Sequence, residues 1–195
     1  MEGSHLQTFP KKSVIYSPFS EVKKVFIIKT GYVSAHTIDA TGKTQIHLVY
    51  GPLSYFPVIT TFKDKDQRAT YTALTNVNVE LYNRDEFSKK IDSDKDFCKE
   101  ILLQSVEQLG LFADRIINLE TTKTSDRLKH RINALCQAHG KHVGDFLYLP
   151  YELTHQQVAD MIGAERETVS RLLMQLLKNG DIYKSSLGTY GILLP

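Results

Sequence analysis

The sequence predicts an α+β chain: an all-β N-terminal half of sandwich, barrel or jelly-roll type, then one long helix, then a C-terminal winged helix-turn-helix. Three observations carry this. Residues from about Ser13 to Phe87 break into short β-rich runs between turn signals. From Asp94 to Glu120 the Gly-Pro punctuation disappears, Gly110 is the one glycine, and apolar residues recur at helical spacing. Finally, Thr154–Leu173 sets a cap, a small residue, a glycine and a polar helix start in the order that two short crossing helices require.

Composition sets the limits. The chain has 195 residues, 24 Lys+Arg against 22 Asp+Glu, a formal charge of +2 and 42% hydrophobic residues. That suits one large or two small domains folding around ordinary cores. A balance so near zero argues against a general polyanion binder, although it can hide a local basic face. No apolar run approaches the roughly 18 residues of a membrane span. Met1-Glu2-Gly3-Ser4-His5 has no basic segment followed by an apolar one, so a cytoplasmic protein without a secretory signal is expected. Those five residues are of a kind that cloning can leave behind and are set aside. Cys98 and Cys136 form no C-x-x-C pair, which excludes a four-thiolate cluster within one chain and argues against a disulfide framework.

Val25-Phe26-Ile27-Ile28 reads as a strand running into Gly31, with Tyr32-Val33-Ser34-Ala35 as its partner strand. Ala40-Thr41-Gly42-Lys43 is a turn, and Ile46–Tyr50 a strand ending at Gly51-Pro52. Ala69–Leu74 and Val77–Tyr82 give two more strands around Thr75-Asn76. In the long helix, Cys98, Leu102, Ser105, Leu109, Phe112, Ile116 and Leu119 alternate spacings of four and three, the seam of a coiled coil. Leu103, Val106 and Ala113 form a second apolar face, expected to pack on the β domain. Two apolar faces call for two partners, so a homodimer is expected through Leu102, Ser105, Leu109, Phe112, Ile116 and Leu119. The competing reading is a core helix packed only within its own chain. Thr121–Asp126, rich in capping side chains, reads as the hinge. The expected organisation is therefore a β domain over 1–93, a dimerisation helix over 94–121 and a winged helix-turn-helix domain over 122–195. Arg127–Ala138 is a helix with Leu128, Ile132 and Leu135 on one side, stopped at His139-Gly140-Lys141.

Thr154 is the expected N-cap of a helix that buries Val158, Ala159 and Ile162, and Gly163 makes the turn. The second helix buries Val169, Leu172, Leu173 and Leu176 and exposes Arg166, Glu167, Ser170 and Arg171. Arginine can donate two hydrogen bonds to guanine, and glutamate can accept from cytosine. An acid between two arginines suits base reading better than phosphate binding, because it repels phosphate. Thr168 and Ser170 are candidate phosphate contacts, with the helix start at Thr154, His155 and Gln156. Gly180–Lys184 and Thr189–Leu193 flank Ser185–Gly188 as a hairpin wing, where Lys184 adds a further phosphate contact. The bland alternative is a solvated helix face with Glu167 and Arg171 paired at i,i+4.

Residues 154–193 resemble the DNA-binding domain of the cyclic-AMP receptor protein and fumarate–nitrate regulator (Crp/Fnr) family, with Arg166-Glu167-Thr168-Val169-Ser170-Arg171 matching its recognition-helix signature. Upstream, Phe26–Val33 and Gly42-Lys43 resemble its β-roll, and Asp94–Glu120 its dimerisation helix. The resemblance implies a cyclic-nucleotide-binding-like jelly roll and a homodimeric transcription regulator on a pseudo-palindromic site with TGTGA-like half-sites. Arg166, Glu167 and Arg171 would be its base readers and Thr168 a phosphate contact. The implied partners are double-stranded DNA, a second copy of the chain, RNA polymerase and an unidentified small-molecule effector.

This sequence departs from the family pattern twice. Glu165 stands where many members carry a capping Ser or Thr. Cyclic-nucleotide binders carry a Gly-Glu pair and then Arg-Ser or Arg-Thr, whereas here the matching stretches read Gly51-Pro52-Leu53 and Arg68-Ala69-Thr70. Cyclic AMP is therefore not expected as the ligand, and Arg68 and Thr70 remain the candidate effector contacts. The iron–sulfur cysteine cluster is missing, and lone strand histidines such as His36 and His47 are usually structural. No cofactor, metal or catalytic residue is expected. Two alternatives remain. One is an effector-independent DNA binder of the same fold, its pocket filled by Tyr50, Leu53, Tyr55, Phe56 and Phe62. The other is a cupin-like metal enzyme, against which stands the lack of a His-x-His pair and a nearby acid.

Overall fold

The computed structural model describes residues 5–18, 24–62, 68–121 and 123–194. It divides into two compact units, Met1–Thr37 with His47–Ala113, and Ile38–Ile46 with Asp114–Pro195.

The first unit is a β-sandwich. One sheet contains β1 (His5–Phe9), β8 (Val77–Asn83), β3 (Lys24–Thr30) and β6 (Tyr55–Phe56) in that order. The other contains β2 (Val14–Tyr16), β7 (Thr70–Ala73), β4 (Val33–Ile38) and β5 (Thr44–Tyr50). Phe26, Ile28, Val77 and Val79 of the first sheet pack against Val33, Leu48, Tyr71 and Ala73 of the second. Phe56 stacks on both Phe26 and Tyr71, with ring centroids 5.3 and 4.8 Å away. The opposite face of β3 is buried too. Val25 and Ile27 meet Phe87 of α2 (Arg84–Ser93), the next helix after the short α1 (Ile59–Phe62), and Phe97 and Ile101 of α3 (Lys95–Thr121). Burial on both faces is why residues 25–28 are uninterruptedly apolar rather than alternating. Each fully buried side chain of this size stabilises the fold by about 1.5–3 kcal/mol.

Tyr32–Ala35 is not the partner of Val25–Ile28. β3 pairs with β8 and β6, whereas β4 pairs with β7 in the other sheet, Val33 opposite Ala73 and Ala35 opposite Tyr71. At Gly31 (φ +91°) the chain crosses between sheets so close to the Thr75-Asn76 turn that a Cβ would lie 2.3 Å from the Asn76 carbonyl oxygen. The sheet also starts earlier than the sequence suggested, because β1 pairs with β8 from His5–Leu81 to Phe9–Val77.

On α3, whose first turn is capped by the Asp94 carboxylate accepting from the Phe97 N–H at 3.0 Å, the side facing the sandwich is Phe97, Ile101, Gln104 and Leu111. Gln104 Oε1 accepts the Tyr55 N–H at 2.9 Å. The expected packing of Leu103, Val106 and Ala113 on the β domain does not occur: all three are exposed. At roughly 100° per residue they sit beside the sandwich-facing row, not on it.

The second unit holds α4 (Thr124–His139), α5 (His155–Ile162) and α6 (Arg166–Asn179), with a sheet of order β11 (Tyr183–Lys184), β12 (Tyr190–Leu193), β10 (Phe146–Tyr148) and β9 (Lys141–Val143). Leu128, Ile132, Val158, Ala159, Val169 and Leu173 are its core. The hairpin β9–β10, turning at Gly144-Asp145, is an element that the strand runs of the sequence do not predict. Nor is α4 capped by a hydroxyl or carboxylate: its N-cap is Lys123, with no side-chain cap bond. The tip between β4 and β5 and the end of α3 also belong to this unit.

Candidate nucleic-acid interface

The two crossing helices form as their sequence dictates. Thr154 Oγ1 accepts the Gln157 N–H at 3.1 Å while Gln157 Oε1 accepts the Thr154 N–H at 2.9 Å, a reciprocal capping box. The Thr154-x-x-Gln157 spacing was a legible signal for it. Those two bonds leave the His155 and Gln156 N–H groups as the first-turn donors without an intrahelical partner. Gly163 is left-handed, φ +66°, and reverses the chain into α6. Thr154→Ala is expected to destabilise the fold by about 1 kcal/mol, read as a lower midpoint in urea unfolding at unchanged slope.

Val169, Leu172, Leu173 and Leu176 bury one side of α6. Arg166, Glu167 and Arg171 project from the other, exposed. None of these three side chains makes an ion pair or side-chain hydrogen bond among the described residues, so Glu167 and Arg171 are not paired. The candidate phosphate contacts are more engaged. Ser170 Oγ donates to the Arg166 carbonyl at 2.9 Å and lies 2.7 Å from His155 Nδ1, which ties the starts of the two helices together. Gln156 Nε2 donates to Asp160 Oδ1 at 2.7 Å, and Thr168 is half-buried. In the wing, Tyr183 faces Gly191 and Lys184 faces Tyr190. Ser185 Oγ accepts the Leu187 and Thr189 N–H groups at 3.2 Å to fix the tip. The exposed Lys184 ammonium stands 5.8 Å above the Tyr190 ring. Lys129 pairs with Asp181, joining α4 to the base of the wing.

Along α3, Leu102, Leu109 and Ile116 are exposed at 60, 68 and 56%. Phe112 is partly exposed, and Ser105 Oγ is satisfied by the Ile101 carbonyl at 2.8 Å. The Leu119 side chain lies outside the described residues. The first unit also contains a cavity of about 440 Å³, bounded by residues that include His47, Tyr50, Phe62, Tyr71 and, from α3, Gln108 and Phe112. Ala69 and Tyr71 line it; Arg68 and Thr70 do not, and Arg68 is exposed. Of the residues expected to fill such a space, Tyr50 and Phe62 line it, Tyr55 and Phe56 are buried in the flanking cores, and Leu53 is 70% exposed. His47 Nε2 is engaged with Thr37 Oγ1 at 2.8 Å. Among the described residues no group of three or more His, Cys, Asp or Glu is placed to hold a metal, and no helix is long and apolar enough to cross a membrane.

A jelly-roll unit, a long helix with an apolar flank and a winged helix-turn-helix together define a two-domain DNA-binding regulator. Residues 6–94 match the cyclic nucleotide-binding domain family and residues 126–193 the Crp-like helix-turn-helix domain family. The chain belongs to the Crp/Fnr family of transcription regulators. It is 22% identical over 174 residues to the CRP-like cAMP-activated global transcriptional regulator of Mycobacterium tuberculosis, covering 89% of this chain and 78% of that one. It is 26% identical over 180 residues to the global nitrogen regulator of Nostoc sp., covering 88% and 78%. Among solved structures, FixK2 from Bradyrhizobium japonicum superimposes with a TM-score of 0.80 at 20% identity, covering 98% and 92% of the two chains. At that identity the structural likeness speaks for the fold.

Proposed function

We propose that the chain is a sequence-specific transcription regulator that binds, as a homodimer, a pseudo-palindromic site with TGTGA-like half-sites and works without cyclic AMP. The observation carrying this reading is the exposed Arg166–Glu167–Arg171 face, without an ion pair among the described residues, on a helix whose other side is locked into a core. Those side chains match base edges of guanine and cytosine, while the first turn of α5, Thr168, Ser170 and Lys184 supply phosphate contacts. Two copies joined along α3 would have to set their recognition helices about 34 Å apart to enter successive major grooves. RNA polymerase is the partner such a regulator then recruits or blocks.

The relative from M. tuberculosis is described as cAMP-activated. Here Pro52 offers no carboxylate to a ribose and Ala69 no hydroxyl to a phosphate. The cavity lining among the described residues contains no Asp, Glu, Lys or Arg. Isothermal calorimetry with cyclic AMP is expected to show no binding in the micromolar range, and a micromolar titration would defeat the argument from Pro52 and Ala69.

The cavity itself favours a second reading, in which a small neutral effector shifts the population of the DNA-competent geometry; such a ligand must bind the two states with different affinity. Selection of bound sequences from a random DNA pool by the ligand-free protein tests both. A recovered two-fold palindrome supports regulation without an added effector. Recovery only in the presence of cell extract supports the sensor, and recovery in neither condition rejects base reading by Arg166, Glu167 and Arg171.

A further inference from the structure

We infer that Lys43, at the tip between β4 and β5, belongs to the DNA-binding surface, where its ammonium offsets the carboxylate that Glu165 places at the start of the recognition helix. The inference rests on the DNA-binding reading above and adds a residue to it. Glu165 is the N-cap of α6 and directly precedes the base reader Arg166, yet its side chain makes no capping bond and is largely exposed. A negative charge there faces approaching phosphates well within the screening length of about 10 Å at 0.1 M salt. Lys43 Nζ lies 2.9 Å from Glu165 Oε1, although the two residues are 122 positions apart.

Two further sets of bonds hold Lys43 in place. At the tip, Asp39 Oδ1 accepts from the Thr41 N–H (2.8 Å), the Thr41 hydroxyl (2.6 Å) and the Lys43 N–H (3.0 Å). At the base of the same segment, Arg115 Nη1 donates to the carbonyls of Ile46 (2.6 Å) and Met161 (2.8 Å), bridging it to the end of α5. Burial lowers the Arg115 pKa, but arginine remains charged under ordinary conditions. The hydrogen bond and charge of Glu165 raise the Lys43 pKa, in keeping with the pairing.

An exposed ion pair contributes little to folding. Its larger consequence is for the field that DNA meets. One charge at a phosphate face changes log K by about 0.9 per decade of salt, so near 0.1 M its removal is worth up to about tenfold in affinity per half-site.

The test is fluorescence-anisotropy titration of the full chain with the selected operator and with a random duplex, across a salt series. Lys43→Ala is expected to weaken both complexes by about three- to tenfold per half-site and to flatten the salt dependence. Glu165→Ser, which removes the carboxylate and puts a good N-cap residue in its place, is expected to tighten both by a similar factor. The double variant should return to within about twofold of the unmutated chain, since its net charge at the face is the same. The thermal melting curve of Lys43→Ala should overlay the parent, while the Ser N-cap should leave Glu165→Ser and the double variant at least as stable as the parent. Unchanged affinity and salt slope in Lys43→Ala, a loss that Glu165→Ser leaves unrepaired, or a loss accompanied by a lowered melting temperature overturns the inference. If the unmutated chain binds neither duplex at low salt, the DNA-binding reading fails and this inference falls with it. Binding by the parent with a silent Lys43→Ala sinks the Lys43 role alone.

Discussion

Arg171→Ala is expected to cost about 1–3 kcal/mol of operator affinity per half-site and to relax recognition at one base position. The guanidinium is exposed on the same face of α6 as Arg166 and Glu167, with no partner among the described residues from which truncation would release it. The residues on either side of the position, Val169, Leu172 and Leu173, are buried, so the helix backbone stays anchored when the side chain is removed. The loss is therefore one of contact, not of folding. A two-fold operator presents the position twice, and the penalties add when the sites are independent. The measurement is a competition titration against operators substituted singly at each base pair. The parent should lose affinity at the position Arg171 reads, while the variant should bind that substituted operator about as well as the original. Equal losses on operator and random duplex would assign Arg171 to phosphate and remove it from base reading. Lys184→Ala should behave in that second way, weakening every sequence uniformly.

The helix-turn-helix was legible because its constraints are local. A small Ala159, a glycine at the left-handed turn and the apolar positions of two short helices all fall within some twenty residues, and no distant partner decides them. The sheets were legible as strands but not as pairs. Gly31 reads as a hairpin turn from sequence, and only the burial of both β3 faces, under α2 and α3 on one side and the second sheet on the other, shows that the next strand belongs elsewhere. The long helix repeats the lesson in one dimension. Periodicity revealed its apolar rows but not which row meets the sandwich, and the answer is set by Phe97 and Ile101 rather than by Leu103 and Val106. The anomaly at Glu165 was visible in the sequence. Its counter-charge was not, since Lys43 is brought to it by a hairpin tip and by Arg115 bonding two carbonyls far apart in the chain.

Leu109→Glu should dissociate the dimer. Leu102, Leu109 and Ile116 recur at heptad spacing and leave more than half of each side chain in water. Leu103, Val106 and Ile117 widen the exposed apolar flank, which a second copy would cover. Covering a leucine fully gains about 1.5–3 kcal/mol, and a symmetric seam does so twice. A glutamate at the central position replaces that gain with two like charges at the seam. An uncompensated buried charge costs on the order of 3–5 kcal/mol, enough to raise the dissociation constant several hundredfold. Sedimentation velocity at micromolar concentration reads the outcome, and an unchanged dimer would reject the register. Because Leu109 also borders the first-unit cavity, Leu102→Glu serves as the control: it lies on the same row but not on the cavity wall. Both variants should become monomers and lose two-fold operator binding, while each monomer keeps its weaker half-site affinity. Dissociation by Leu109→Glu alone would locate the effect in the cavity, and the seam would then have to be sought on the Leu103–Val106 row.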